Sequence, residues 1–258
     1  MKIGIVGTGN MGGALMEAFA RGGHEMRACN HTREKLEAVC AKTGAVPADT
    51  NRSAIEGADL ILLAVKPVAM DGVLAELREA VTAGQIIVSI AVGLPVSHYA
   101  EILGADKKIV RAMPNTPAAV RAGMTAFTFG ENVTAEEQET VLSLFSLAGE
   151  TAVLPEGLMN AVSALTGSGP AYAYMFLEAM ADGACCAGIP RDQAYKLAAQ
   201  TLLGAAKMVL ETGKHPGVLK DEVCSPGGTT IRAVAELEKR GMRAALMEAI
   251  RVCTEAAN

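Results

Sequence analysis

Apolar and polar positions follow two rhythms along this chain. Through its first half, short apolar or alternating runs bounded by turn formers alternate with stretches whose apolar residues recur every three or four positions. The runs predict strands and the stretches predict amphipathic helices. Strands are expected at residues 3–6, 25–29, 60–65, 86–90, 109–113 and 124–129, and helices at 11–21, 33–42, 51–56, 68–80, 96–103 and 135–148. Such alternation points to an α/β architecture, a parallel sheet with helices on both faces. From about Leu154 the strand signal stops, and Ala/Leu/Met-rich helical periodicity continues to Asn258. The pattern therefore predicts an N-terminal doubly wound Rossmann domain over residues 1–154 and an all-helical domain over residues 155–258.

The first strand breaks into glycines. Gly7, Gly9 and Gly12 fit the spacing G-x-G-x-x-G between a strand and the amphipathic run Ala14, Leu15, Ala18, Phe19. In a dinucleotide site these glycines give a tight turn, close backbone approach to a pyrophosphate, and close packing of helix on strand. The phosphates then rest on the N-terminus of the helix beginning near Asn10, where free N–H groups and the helix dipole favour negative charge. With 27 glycines in 258 residues the spacing alone also arises by chance, so its place between strand and helix gives it meaning.

Ligands of doubly wound sheets bind beyond the carboxyl ends of the strands, where the strand order reverses. After the second strand, an NAD-selective site carries Asp or Glu to bond the ribose 2′-hydroxyl; here stand Asn30, His31, Thr32 and Arg33. A neutral Asn followed by potential cations suits a 2′-phosphate and favours NADP(H) over NAD(H). An ordinary helix start, Thr32 capping and Arg33 in solvent, explains part of the same pattern. After the third strand come Lys66, at the crevice mouth or simply solvated, and Pro67 as the first residue of a helix. Further along the same edge come Ala91, Val92 and Gly93, and then Met113-Pro114-Asn115-Thr116-Pro117, whose small residues would admit a flat nicotinamide ring.

The helical half has two interruptions. Thr166-Gly167-Ser168-Gly169-Pro170-Ala171 reads as a closely packed helix start. Cys224-Ser225-Pro226-Gly227-Gly228-Thr229-Thr230 is a helix N-terminus rich in glycine and hydroxyls, preceded by Asp221 and Glu222. Its N–H groups, with the Ser225 and Thr230 hydroxyls, could bind a carboxylate, although a capped turn fits the same residues.

Composition narrows the classes. Half of the residues are hydrophobic, enough for a substantial core, yet only 3% are aromatic and none is Trp, so aliphatic residues and Met must build it. The net charge of −5, without a basic run, argues against nucleic acid. Apolar runs such as residues 60–65 are far too short to cross a bilayer, and a strand at the very start leaves no room for a signal peptide, so a cytoplasmic protein without a membrane partner is expected. The six cysteines and four histidines show no metal-ligand spacing, and no metal site is expected.

Taken together these residues resemble the pyrroline-5-carboxylate reductase family along the whole chain: Gly7 to Gly12, Ala64-Val65-Lys66-Pro67, Asn115-Thr116-Pro117, Gly167 to Tyr172, and above all the run from Asp221 to Thr230, which matches the family's signature. The resemblance implies reduction of the cyclic imine 1-pyrroline-5-carboxylate to L-proline by NAD(P)H. It also implies an interlocked homodimer, often assembled into a larger ring such as a decamer. It assigns cofactor contacts to Gly7, Thr8, Gly9, Asn10, Met11, Asn51, Ala64 to Pro67, and Ala91 to Gly93, beside the Asn30, His31 and Arg33 read above. By the resemblance Glu156, at the domain junction, and Thr229 and Thr230 line the substrate; the chemistry of such a reduction adds Ser225, Gly227 and Gly228 of the same turn as holders of the carboxylate and Thr230 as the catalytic hydroxyl. Members preferring NADP(H) often carry Asn-Arg-Thr or Asn-Arg-Ser after the second strand; here the middle residue is His31, with Arg33 near enough to help.

Two other readings share part of the pattern. A 2-hydroxyacid dehydrogenase would need a catalytic lysine in the helical half, where Lys196 and Lys207 lack a supporting motif. A non-catalytic protein that only binds a dinucleotide or pyridoxal phosphate would have no use for the turn from Ser225 to Thr230.

Overall fold

The computed structural model describes residues 1–256. Contacts divide the chain into two compact units, residues 1–168 with the described residues from Cys253, and Gly169–Val252. The sheet ends at Val153, beside the boundary read from the sequence, and the first unit continues through the turns that follow.

The first unit is built on one sheet: β1 (Lys2–Val6), β2 (Glu25–Cys29), β3 (Val46–Pro47), β4 (Leu60–Leu63), β5 (Ile86–Ser89), β6 (Lys108–Met113), β7 (Gly123–Phe129) and β8 (Gly149–Val153). Their order is β3-β2-β1-β4-β5-β6-β7-β8, so the chain winds outward from β1 in one direction and then returns to its other side. The switch point lies between β1 and β4. Neighbours from β3 to β6 run parallel, in keeping with the expected sheet. β7 departs from it, running antiparallel to β6, and β8 follows β7 in parallel. The link from β6 to β7 holds only the 3-10 turn Thr116–Val120, too short for a parallel crossover.

Leu60, Ile61, Leu62 and Leu63 are all buried, because a central parallel strand is covered on both faces. Leu60 and Leu62 join one core beneath α1 (Asn10–Phe19), α2 (Arg33–Thr43) and α6 (Ala135–Ser146). Ile61 and Leu63 join the other, beneath α3 (Asn51–Ile55), α4 (Pro67–Leu77) and α5 (Val96–Leu103). Each fully buried Leu or Phe stabilises by ~1.5–3 kcal/mol. Phe145 of α6 meets Phe19 of α1 and Phe127 of β7 edge to face at 5.2 and 5.0 Å, which pins both helices to the sheet. β3 and β8 were absent from the sequence reading, since Val46-Pro47 and Gly149-Glu150-Thr151 carry no apolar run. Both are edge strands with no fully buried residue.

The first unit closes with the short helix α7 (Met159–Val162), which runs into the π-helical turn Ser163–Gly167. The second unit is helical: α8 (Gly169–Cys186), α9 (Arg191–Thr212), α10 (Pro216–Val223), α11 (Thr229–Lys239) and α12 (Met242–Glu255) up to Val252, the end of α12 from Cys253 counting with the first unit. α8 and α9 bury only Ala181, Ala194 and Ala198, and the other three bury nothing fully. Among the described residues no helix is long and apolar enough to cross a membrane.

Candidate active site

The loop from β1 to α1 is shaped by its glycines. Gly7 holds φ +98°, and a side chain there would press its Cβ to 2.6 Å from the Ala64 carbonyl oxygen. At Gly12 a Cβ would lie 2.3 Å from the Gly7 oxygen, so α1 reaches the strand only because this position is bare. Gly9 faces open space and caps α1 without a side-chain bond, leaving the first-turn N–H groups for an anion. Thr8 N donates to Asn30 Oδ1 (3.2 Å), and Asn30 Nδ2 donates to the Thr32 oxygen (3.2 Å), fastening this turn to the end of β2. The Thr8 hydroxyl is buried and has no hydrogen-bond partner among the described residues.

A cleft of about 870 Å³ runs over this turn along the switch point. Of the expected cofactor residues, Gly7, Gly9, Asn10 and Met11 line it from the turn, and Asn30 and His31 from the end of β2. Ala64 to Pro67 line it after β4, and Ala91 and Val92 after β5. Four others lie outside its lining. Thr8 is buried beneath the turn, and Gly93 forms the φ +84° corner that leads toward α5. Asn51, opening α3, donates to Glu76 Oε2 at 2.8 Å. Arg33 is held by Glu37 (2.7 Å) and Asp49 (2.9 Å).

The structure adds lining residues that the sequence assigned to no ligand: Lys35, in the first turn of α2, Ser163, and Ser168 of the run read as a packed helix start. Among the described residues no carboxylate lines this cleft, and Lys35 and Lys66 do. Asn115 builds the far wall. Its Nδ2 donates to the Thr166 oxygen (3.0 Å) and its Oδ1 accepts from Met124 N (2.8 Å), tying the 113–117 loop to the π-turn. Burial pushes the Cys29 thiol above its usual pKa, which keeps it protonated and unreactive.

Glu156 is placed differently from the other expected substrate residues. Its Oε1 accepts from Val96 N (2.7 Å), at the start of α5, and from Arg111 Nη1 (3.4 Å), whose side chain is buried in β6. In the second unit, Gly228 N donates to the Ser225 oxygen (3.0 Å) and Gly227 takes φ +70°. A Cβ at Gly228 would lie 2.4 Å from Ser225 Oγ and 3.1 Å from the Ser225 carbonyl oxygen, so a side chain there would force the serine hydroxyl to turn away. Gly228 is the uncapped start of α11, and Thr229 and Thr230 open its first turn. The acidic residues before the turn are balanced, Asp221 by Lys220 (2.6 Å) and Glu222 by Lys214 (2.7 Å). Among the described residues no group of His, Cys, Asp and Glu is placed to hold a metal.

A glycine turn at the switch point, a cleft above it that no described carboxylate lines, and a helical second unit define a Rossmann-type dinucleotide-binding protein. Residues 156–258 match the family model described as pyrroline-5-carboxylate reductase dimerisation, and residues 2–93 match one described as NADP oxidoreductase coenzyme F420-dependent. The pyrroline-5-carboxylate reductase of Escherichia coli (strain K12) is 46% identical, covering 98% of this chain and 96% of the relative. That of Methanosarcina acetivorans is 43% identical, covering 96% and 94%. The solved pyrroline-5-carboxylate reductase of Coxiella burnetii superposes with a TM-score of 0.92 at 33% identity, covering 99% and 96%. The Plasmodium falciparum pyrroline carboxylate reductase with NADP bound gives 0.89 at 28% identity, covering 100% and 97%. The chain belongs to the pyrroline-5-carboxylate reductase family.

Proposed function

We propose that this protein reduces the cyclic imine 1-pyrroline-5-carboxylate to L-proline, the last step of proline biosynthesis, using NADPH in preference to NADH. The observation that carries the reading is likeness over 98% and 96% of the chain to two reductases of that name. The cleft fits a dinucleotide on its own terms: bare N–H groups at α1, open space at Gly9, an orphaned Thr8 hydroxyl and no opposing carboxylate.

On this reading Gly7, Gly9, Asn10 and Met11 hold the pyrophosphate against the start of α1. Lys66, Pro67, Ala91 and Val92 flank the rest of the cofactor, and the Asn115 clamp sets the wall beside it. The bound nucleotide supplies a hydride to the imine carbon. Ser225 and the N–H groups of Thr229 and Thr230, in the uncapped first turn of α11, hold the substrate carboxylate, while Gly227 and Gly228 shape the turn, the Gly228 N–H closing it onto the Ser225 oxygen. The Thr230 hydroxyl hydrogen-bonds the ring nitrogen, orienting it and helping to keep it protonated. A protonated imine is already electrophilic, so positioning supplies much of the acceleration and no metal is required. The bound NADP of the Plasmodium falciparum protein supports the phosphorylated cofactor. The apolar surface of the second unit and the dimerisation match support an interlocked homodimer. A decameric ring rests on the family resemblance, and a cytoplasmic location on the short apolar runs of the sequence.

The test follows NADPH absorbance, with NADH in parallel, on adding pyrroline-5-carboxylate, and assays proline as product. Oxidation with stoichiometric proline is expected. Thr230→Ala should lower kcat about 100-fold while the NADPH Kd stays within about twofold. A protein that binds NADPH yet oxidises it with no cyclic imine would overturn the reading.

A further inference from the structure

Two cations follow β2 in sequence, and the structure separates their roles. Arg33 is spanned by two carboxylates, Glu37 at 2.7 Å and Asp49 at 2.9 Å, so its immediate surroundings carry a net negative charge. To meet a phosphate, Arg33 would have to leave both partners and bring the anion toward them. Lys35, two residues on, lines the cleft together with Asn30 and His31. Among the described residues it forms no ion pair. It also stands in the first turn of α2, where the helix dipole disfavours a cation. A local rule broken at the rim of a ligand cleft is the signature of a functional position.

The sheet order decides what Lys35 meets. β2 lies on one side of β1 and β4 on the other. With the pyrophosphate over the start of α1, the end of β2 receives the adenosine ribose, and Lys66, after β4, lies toward the opposite end. We infer that Lys35, and not Arg33, reads the 2′-phosphate of NADPH and sets the preference of this chain for the phosphorylated cofactor. His31 lines the same end of the cleft and adds a hydrogen-bonding ring beside the ribose. Arg33 has a positioning role: through Asp49 it ties the start of α2 to the segment leading into α3. The inference rests on the proposed function in taking a nicotinamide dinucleotide as cofactor and in the preference for its phosphorylated form, and does not depend on the imine.

The test is binding without imine substrate. NADPH and NADH are titrated by nicotinamide fluorescence against the full-length wild type, Lys35→Gln, Lys35→Arg and Arg33→Ala, with adenosine 2′-monophosphate as competitor. Lys35→Gln should weaken NADPH about 10- to 100-fold, the range of a lost hydrogen bond to a charged group, and leave NADH within about twofold. Lys35→Arg should recover most of the loss, and Arg33→Ala should change NADPH affinity by less than about threefold. The wild-type preference should shrink as salt rises, and adenosine 2′-monophosphate should lose its grip on Lys35→Gln alone. Equal effects of Lys35→Gln on both nucleotides, or a selective loss in Arg33→Ala instead, would overturn the assignment. So would a wild type that binds NADH as tightly as NADPH. A protein that binds NADPH through Lys35 but turns over no imine would leave this inference standing while the proposed reaction fell.

Discussion

At the scale of single residues, the glycine turn was legible because its constraints are backbone constraints: a positive φ at Gly7 and a steric ceiling at Gly12 leave a mark in any sequence. The roles of the cations after β2 were not. Arg33 was expected at the ribose, but Asp49 reaches it from sixteen positions along the chain, and a partner that distant has no local signature. Thr8 shows the reverse case, an ordinary residue made unusual by burial without a partner. A buried hydroxyl left unsatisfied costs ~1–3 kcal/mol. Thr8→Val, which keeps the shape and removes the hydroxyl, should therefore leave the unliganded protein as stable as wild type or more so. It should also weaken NADPH about tenfold. Thermal unfolding with and without NADPH measures both effects; a destabilised free protein with unchanged affinity would show that the hydroxyl serves the fold instead.

At the scale of elements, periodicity located the central strands and the helices beside them, because those segments are buried on two faces or on one. It missed β3 and β8, whose edges demand little of their sequence, and it gave no warning that β7 reverses. The loop that causes the reversal also carries the far wall of the cleft. Asn115 is 9% exposed and bonded to two separate segments, and Asn115→Ala would strand the Thr166 carbonyl and the Met124 N–H. The expected cost is about 2 kcal/mol of stability, together with a fall in kcat as Thr116 and Ser163 lose their setting. Calorimetry and steady-state kinetics check the pair, and no change in either would reduce Asn115 to a bystander. Glu156 belongs to the same scale, a carboxylate that joins the start of α5 to the buried Arg111.

At the scale of the whole molecule, the two units are stabilised in different ways. The first buries two full layers of aliphatic and aromatic side chains, one on each face of its sheet. The second leaves Tyr174, Met175, Leu210, Met247 and Val252 exposed, and three of its helices bury no residue fully. So small a core, in a unit that lies within the match to the dimerisation model, accords with self-association. The unfolding temperature should accordingly rise with protein concentration, and sedimentation should give a dimer or larger; Leu210→Glu with Met247→Glu should shift the distribution toward monomer. A concentration-independent monomer would contradict that picture. Sequence by itself determined the Rossmann turn, the central strands, the change to all-helical periodicity and the motif that marks the family, because each is a local pattern of side-chain size and polarity. Only the tertiary structure decided which cation faces the cleft, what Glu156 and Asn115 hold and which way β7 runs, because each depends on residues brought together from distant parts of the chain.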